Sequence, residues 1–158
     1  MRTWIVCAAA LISACVTVNN QRTTAPDAPL AAIQGARVRE CPAERTQANA
    51  RSSSDAQSAG VTAEDIALTP LASDPTRALR LRRIVVAPGG VVAWHDHTTL
   101  QGMALIVAGE MTEFRNTCLD AILYRAGDVA REDAATAHGW RNESGAAAVI
   151  LVAHVVAR

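Results

Sequence analysis

Three of the four histidines in the 158-residue chain have a spacing that can bring imidazoles together. His95 and His97 are separated by one residue, so on a β-strand both side chains point to the same face. His138 lies further along the chain, and neutral imidazole is a common ligand of divalent transition metals. A bare His-x-His pair is weak evidence, so the surrounding residues must decide between a metal site and surface histidines. His154 lies near the end of an apolar run, where we expect a satisfied or exposed histidine rather than a ligand.

The elements that must position these histidines read as short β-strands after residue 61. Apolar or alternating runs are broken by turn residues at intervals of about ten residues, which is typical of a sandwich or barrel and leaves no room for crossover helices. The runs are 77–86, 91–97, 103–108, 110–115, 120–125, 129–132 and 146–156. Pro88-Gly89-Gly90 is expected to end the first run, and segment 62–71 is either a capped helical turn or an opening edge strand. Glu110 and Glu113 fall on a predicted hairpin, where we expect solvated charges.

The spacing of glycines, histidines and one asparagine resembles the two motifs of the cupin family. The residues that fit the first motif are Gly89, His95, His97 and Gly109. The residues that fit the second motif are Gly127, His138 and Asn142, with Asp133 and Ala135 standing where the family has Pro and Gly. Gly102, or Gln101 with a shorter spacing, stands where the family has a metal-binding Glu. The glycines before the histidine strands also read as turn residues, as a barrel requires.

The resemblance implies an all-β fold, the cupin double-stranded β-helix or jelly-roll barrel, over residues 61–158. It also implies that His95, His97 and His138 bind a divalent transition metal, with Fe, Zn, Ni, Cu and Mn unresolved. Three histidines and a water can hold zinc with an open position. Without the Glu the ion keeps its full charge, which weakens the binding of hard ions such as Mn²⁺. Gln101 could supply a neutral oxygen instead, and a barrel that has lost its metal is the alternative.

The N terminus has the order of an export signal. Arg2 precedes an apolar run from Trp4 to Ile12 and then small residues, and this run is short for a membrane span of about 20 residues. The sequence Leu11-Ile12-Ser13-Ala14-Cys15 resembles the lipobox of bacterial lipoproteins. That resemblance implies that residues 1–14 are a signal peptide and that Cys15 is lipidated and anchors the protein to a membrane. Ordinary cleavage nearby and an uncleaved anchor are the alternatives.

These features predict an exported protein of the cell envelope. The resemblance to lipoprotein sorting signals implies that Val16, in place of Asp, leaves the outer membrane open as the destination, so we expect an outer-membrane lipoprotein that faces the periplasm. Residues 15–60 are poor in large apolar side chains and are predicted to form a flexible linker. In an oxidising envelope Cys41 and Cys118 could form a disulfide, the alternatives being a buried inert thiol at Cys118 and an exposed one at Cys41.

Composition narrows the class of partner. Fifteen basic and fifteen acidic residues leave no net charge, and five aromatic residues offer no stacking platform, so we do not expect nucleic acid as a partner. We expect a small-molecule substrate or ligand. The resemblance implies metal-dependent dioxygenase chemistry of the kind found in quercetinase-like small cupins. A non-catalytic lipoprotein that binds a metal or a small molecule is the alternative, and a homodimer through paired edge strands stays open.

Overall fold

The computed structural model describes residues 37–53 and 56–158, which build an all-β barrel. Its nine strands are β1 (Val38–Arg39), β2 (Ala59–Leu71), β3 (Asp74–Asp96), β4 (Gly102–Ala108), β5 (Glu110–Arg115), β6 (Ile122–Arg125), β7 (Val129–Glu132), β8 (Ala137–Arg141) and β9 (Ala148–Ala157). The predicted all-β cupin fold is confirmed. Among these residues, no helix has the length and hydrophobicity to cross a membrane. The predicted signal peptide and Cys15 lie outside the described residues.

The strands form one sheet in the order β1-β7-β4-β9-β3-β8-β5-β6, with β2 also paired to β3. Segment 62–71 lies within β2, so the edge-strand alternative is the one observed. One edge of β3 pairs with β2. Its other edge is long enough to pair with two strands, because the first part pairs with β9 and the last part pairs with β8. Strand β3 therefore connects the part of the sheet around β9 with the part around β8, where His95 and His138 face each other.

The Pro88-Gly89-Gly90 turn does not end the strand, contrary to the expectation. Gly89 has a φ of 73°, a conformation that favours glycine, and bends the chain inside β3. The bend is held from the second motif, since the N–H of Gly89 donates to the carbonyl of Asn142 at 2.8 Å and the N–H of Asn142 donates to the carbonyl of Gly90 at 2.9 Å. The Asn142 side-chain amide also donates to the carbonyls of Val86 and Ala146. These hydrogen bonds carry the strand through the turn.

The core lies inside the barrel and is aliphatic, with Tyr124 and Trp140 as its buried aromatic residues. Strand β9 shows how the alternation works, because every second residue from Ala148 to His154 is buried. Its final inward position is therefore occupied by a histidine. His154 lies at the polar end of the same face that supplies Ile150 and Val152 to the core.

Residues 37–53, called the strap below, lie against the barrel although they were predicted as part of the flexible linker. Strand β1 pairs in parallel with β7, and the backbone of Thr46 bridges to Cys118. Arg45 forms a two-point ion pair with Asp120 at 2.6 and 2.8 Å. The difference has a simple cause: the strap contributes charges and a cysteine to partners on the barrel, and linker composition does not reveal such partners.

Candidate metal centre

The three motif histidines meet at one end of the barrel interior. The β3–β8 register sets His95 directly opposite His138. His97 follows the end of β3, where its N–H donates to the carbonyl of Thr136 at 2.9 Å. The Nε2 atom of His138 lies 2.9 Å from that of His97 and 3.2 Å from that of His95. His97 and His138 are fully buried and His95 is partly exposed, so one side of the cluster faces solvent.

The hydrogen bonds of the three rings define which nitrogens are free. Nδ1 of His95 donates to the carbonyl of Ala93 at 2.9 Å, and Nδ1 of His97 donates to the carbonyl of Leu100 at 2.7 Å. Nδ1 of His138 donates to a carboxylate oxygen of Glu113 at 2.5 Å. Because a neutral imidazole carries one proton, each ring is left with an Nε2 lone pair. Three lone pairs therefore point at one another.

This arrangement fits a divalent transition metal. Nitrogens bound about 2.0–2.1 Å from one ion lie roughly 2.9–3.4 Å apart, depending on coordination geometry, and the measured separations of 2.9 and 3.2 Å fall in that range. The indole N–H of Trp140 approaches His138 Nε2 at 3.3 Å, which is long for a hydrogen bond. A cation would satisfy all three lone pairs at once.

A buried network orients His138 from behind. One oxygen of Glu113 accepts hydrogen bonds from the Nδ1–H of His138 and, at 3.0 Å, from Nε of Arg115, and its second oxygen accepts a hydrogen bond from the Tyr124 hydroxyl at 2.8 Å. The Glu113 side chain is fully buried, so the expectation that it is a solvated hairpin charge is wrong. In the β5–β8 register, Glu113 pairs with Trp140 and Arg115 pairs with His138. A carboxylate behind a ligating histidine fixes its ring and raises its basicity.

A second buried carboxylate, Glu132, stands beside the Nε2 atoms. Its Oε1 lies 3.7 Å from His138 Nε2 and 3.9 Å from His97 Nε2, and its Oε2 accepts a hydrogen bond from His154 Nε2 at 2.7 Å. Both Glu132 and His154 are buried. His154 is therefore a satisfied histidine, one of the two alternatives expected from the sequence, and the inward alternation of β9 brings its ring to Glu132 beside the three motif histidines.

Metal binding requires neutral histidines and ionised carboxylates, and the pKa shifts of His95, His97 and the two buried glutamates all favour those states. Burial is the main reason that the pKa values of His95 and His97 lie below the ordinary histidine value. Burial alone would raise the pKa of Glu113 and of Glu132. The hydrogen bond from His138 and the charge and hydrogen bond of Arg115 lower the pKa of Glu113 overall. The hydrogen bond from His154 and the neighbouring imidazoles of His138 and His97 lower the pKa of Glu132.

Gln101 is not brought to the histidines. Its side chain is exposed just before β4, and its carbonyl accepts a hydrogen bond from the N–H of Val155. The other motif residues act on the backbone: Gly109 and Gly127 have positive φ values of 76° and 91° at turns. Asp133, which replaces the motif Pro, accepts hydrogen bonds from the N–H of Ala135 and the hydroxyl of Thr136. It thereby holds the turn that precedes His138.

Cys41 and Cys118 are joined by a disulfide between the strap and the barrel. Beside it, Glu40 accepts hydrogen bonds from Arg131 at 2.6 Å and from Arg115 at 3.4 Å. Arg115 in turn holds Glu113. The strap is therefore linked by contacts to the network behind His138.

Sequence reasoning missed Glu132 entirely, although a signal was present. In the run 129–132, period-two alternation places Ala130 and Glu132 on the same face, and both are buried. The same alternation groups Glu113 and Arg115 with Met111 on the inward face of β5. A carboxylate at an inward position of a barrel strand, next to a histidine motif, was the available sign.

These features define a small β-barrel with a three-histidine site and two buried carboxylates. Residues 82–154 match a family model described as "Cupin domain", and the chain contains a cupin-type domain. No curated protein matches the sequence.

Solved structures with a similar fold include a Cupin 2 conserved barrel domain protein from Salinispora arenicola CNS-205, with 18% identity and a TM-score of 0.49 over 60% of this chain and 74% of that one. The Cnp3 cupin domain of Schizosaccharomyces pombe has 10% identity and a TM-score of 0.49 over 65% and 69%. An oxalate oxidase in complex with glycolate has 18% identity and a TM-score of 0.46 over 60% of this chain and 50% of its own length.

Proposed function

We propose that this protein is an exported metalloprotein of the cell envelope that acts on a small molecule at a divalent transition metal. The observation that carries the proposal is the convergence of the Nε2 lone pairs of His95, His97 and His138. Bound there, the metal would activate dioxygen or polarise a substrate oxygen, so dioxygenase-type chemistry is the proposed reaction class. The partly exposed His95 marks the side from which a small ligand would reach the metal.

The remaining parts of the proposal concern location. The disulfide between Cys41 and Cys118 supports an oxidising compartment, where such bonds persist. A lipid on Cys15 would attach the protein to the outer membrane and hold the barrel on its periplasmic side. Metabolic labelling with a fatty acid tests this part, and labelling that persists in Cys15→Ser would contradict it.

The experiment for the metal site is reconstitution of the purified protein with Fe²⁺, Mn²⁺, Ni²⁺, Cu²⁺ or Zn²⁺, followed by metal analysis. We expect stoichiometric binding that is lost in His95→Ala and in His138→Ala. Gln101→Ala is the matched control, because that side chain is exposed, and it should bind as the unaltered protein does. If no metal is retained, or if His95→Ala retains as much as the control, the metal proposal is wrong.

A non-catalytic binding function is the second candidate, and one observation favours it. A cavity of about 360 Å³ is lined by Arg51, Ser52, Ala56, Val91, Val92, Trp94, Phe114, Gly139, Trp140 and Arg141, and none of the three histidines lines it. A ligand held in this cavity would not touch the metal. Oxygen uptake with a panel of phenolic and thiol compounds separates the two functions: metal binding without any uptake would favour binding over catalysis.

A further inference from the structure

The strand position that should carry the motif carboxylate cannot carry any side chain in this barrel. A Cβ added to Gly102 would lie 1.9 Å from the carbonyl oxygen of Ala153 and 2.6 Å from Cδ2 of His154. Both distances are far below van der Waals contact, and the carbonyl belongs to the backbone of β9. Strands β4 and β9 can therefore approach each other as they do only with glycine at this point.

Strand β7, which pairs with β4, places a carboxylate beside the histidines at the level of Gly102. Gly102 pairs with His154 on β9 and with Glu132 on β7, so these three residues form one row across the sheet. Glu132 reaches the histidines from this row, with Oε1 at 3.7 and 3.9 Å from the Nε2 atoms of His138 and His97. These separations exceed the roughly 2.9–3.4 Å expected between neighbouring ligand atoms by about half an ångström. A small rotation of the carboxylate would close that gap.

The hydrogen bonds of His154 give both of its ring nitrogens a partner outside the histidine cluster. Its Nε2 lies 2.7 Å from Glu132 Oε2, and its Nδ1 lies 3.3 Å from Arg80 Nη2. Because arginine only donates, Nδ1 of His154 is the acceptor and Nε2 carries the proton. His154 therefore has the opposite tautomer from the three motif histidines and offers the site a donor instead of a lone pair. Its donor holds one oxygen of Glu132 and leaves the other facing the Nε2 atoms.

Charge gives the arrangement its chemical consequence. Three neutral imidazoles leave a divalent ion with its full charge in a buried site, where an uncompensated charge is costly. An ionised Glu132 beside the Nε2 atoms offsets half of it. Carboxylate oxygen also suits harder ions such as Mn²⁺, which bare imidazole sites hold weakly.

We propose that Glu132 is the anionic ligand of this metal site, taking from β7 the role that Gly102 cannot take on β4, and that His154 is its positioning residue. The inference rests on the proposed metal-binding function. It predicts a site that accepts Mn²⁺ in addition to Fe²⁺, Zn²⁺ and Cu²⁺, whereas the motif residues alone indicate weak binding of Mn²⁺.

Mn²⁺ binding to the full-length protein tests the inference, measured by the electron paramagnetic resonance of free Mn²⁺. Glu132→Gln should raise the Mn²⁺ dissociation constant by at least about 10–100-fold, the cost that loss of a well-placed partner has at metal sites. Its effect on Zn²⁺ should be smaller. Asp128→Asn is the matched control, because it removes another buried carboxylate that has no contact with the histidines. An Mn²⁺ affinity of Glu132→Gln equal to that of the control would overturn the inference, while loss of all metals in His95→Ala would still uphold the proposed function.

The role of His154 is tested by a double-mutant cycle. His154→Ala should weaken Mn²⁺ binding less than Glu132→Gln does, and it should add nothing in the Glu132→Gln background, because it acts only through Glu132. Additive losses would contradict the positioning role. An ion held instead by His97, Glu132 and His154, which also lie close together, would survive His95→Ala and be lost in His154→Ala. That pair of results would overturn the assignment, and the visible absorption of the Co²⁺-loaded variants gives an independent check of ligand number.

Discussion

Two buried glutamates, Glu113 and Glu132, flank the histidine cluster, and they differ in their hydrogen-bond partners. Glu113 faces the Nδ1 side of His138, and its oxygens accept hydrogen bonds from three side chains. Glu132 faces the Nε2 side, and the hydrogen bonds of the described residues reach its Oε2 but not its Oε1. Both oxygens of Glu113 are hydrogen-bonded, which suits it to orient the His138 ring, whereas Oε1 of Glu132 lies beside the lone pairs without a hydrogen bond and is available to an ion. The comparison teaches that the same residue type can differ in what it is free to bind, according to which of its oxygens are already hydrogen-bonded.

The two glutamates also differ in what lies behind them. Glu113 is backed by Arg115, which contacts Glu40 of the strap, and the strap is tied down by the Cys41–Cys118 disulfide. Glu132 is backed by His154 and Arg80, the latter of which belongs to β3. One side of the site therefore depends on a segment outside the family-matched residues 82–154, and the other side is held by the barrel strands. Substitutions on the two sides should fail in different ways.

The largest effect is expected at Glu113. Glu113→Ala leaves the guanidinium of Arg115 and the Nδ1–H of His138 buried without their acceptor, which should cost about 3–5 kcal/mol of unfolding free energy. Chemical denaturation of the metal-free protein measures it. Glu110→Ala is the control on the same strand, since Glu110 pairs with Arg125 at the surface and should cost under about 1 kcal/mol. Equal losses in the two variants would show that the Glu113 network does not support the fold.

The disulfide should give the next largest effect. Cys41 and Cys118 are separated by 77 residues, and removal of a native disulfide that closes a long loop typically costs about 2–5 kcal/mol. Cys41→Ala combined with Cys118→Ala should therefore lower the melting temperature, and reductant should lower that of the unaltered protein to a similar value. An unaltered melting temperature in reductant would mean that the bridge is absent or that the strap does not depend on it.

The metal centre and the strap differ in how far the sequence could predict them. Motif spacing was sufficient to single out His95, His97 and His138, because a fixed spacing on paired strands determines which rings can face one another. Composition could not show the contacts of the strap, whose partners lie far away in the chain. Alternation along β7 and β9 could have marked Glu132 and His154 as inward residues. Their meeting beside Gly102 could not be predicted, because the row that joins the three residues is set by the register of three strands, which no local pattern encodes.

The ion pairs of Asp128 with Arg37 and Arg39 of the strap should have a smaller effect on stability, with a pH dependence of known sign. Burial alone would raise the pKa of Asp128, but the N–H of Arg125 and the charges of Arg39 and Arg37 lower it overall. A carboxylate with a lowered pKa in the folded state adds stability above its unfolded pKa of about 3.9, and this stability is lost as the pH falls through the lowered value. The advantage of the unaltered protein over Asp128→Asn should be about 1–2 kcal/mol near neutral pH. It should shrink below about pH 4, and an advantage that grows in acid would contradict the ion-pair explanation.

A pair of arginine substitutions compares the support of Glu113 with that of Glu132, and the substitution on the Glu132 side should have the smallest effect on stability. Arg115 is buried and donates hydrogen bonds to four partners, which are Glu113, Glu40, Tyr124 and the carbonyl of Arg131. Arg115→Met should therefore cost several kcal/mol, because it leaves Glu113 buried without its cation. Arg80 donates one long hydrogen bond, at 3.3 Å, to His154, and its Nε has no hydrogen-bond partner among the described residues. Arg80→Met should therefore cost under about 1 kcal/mol of unfolding free energy, because it removes a weak hydrogen bond and a 3.6 Å ion pair with the exposed Asp65 and keeps the apolar stem. Its effect should instead be seen in Mn²⁺ affinity, lowered a few-fold as His154 loses the donor that fixes its tautomer. If Arg80→Met destabilises the fold as much as Arg115→Met does, the two carboxylates are supported alike, and the distinction between an orienting and an ion-binding glutamate must come from Glu132 Oε1 alone.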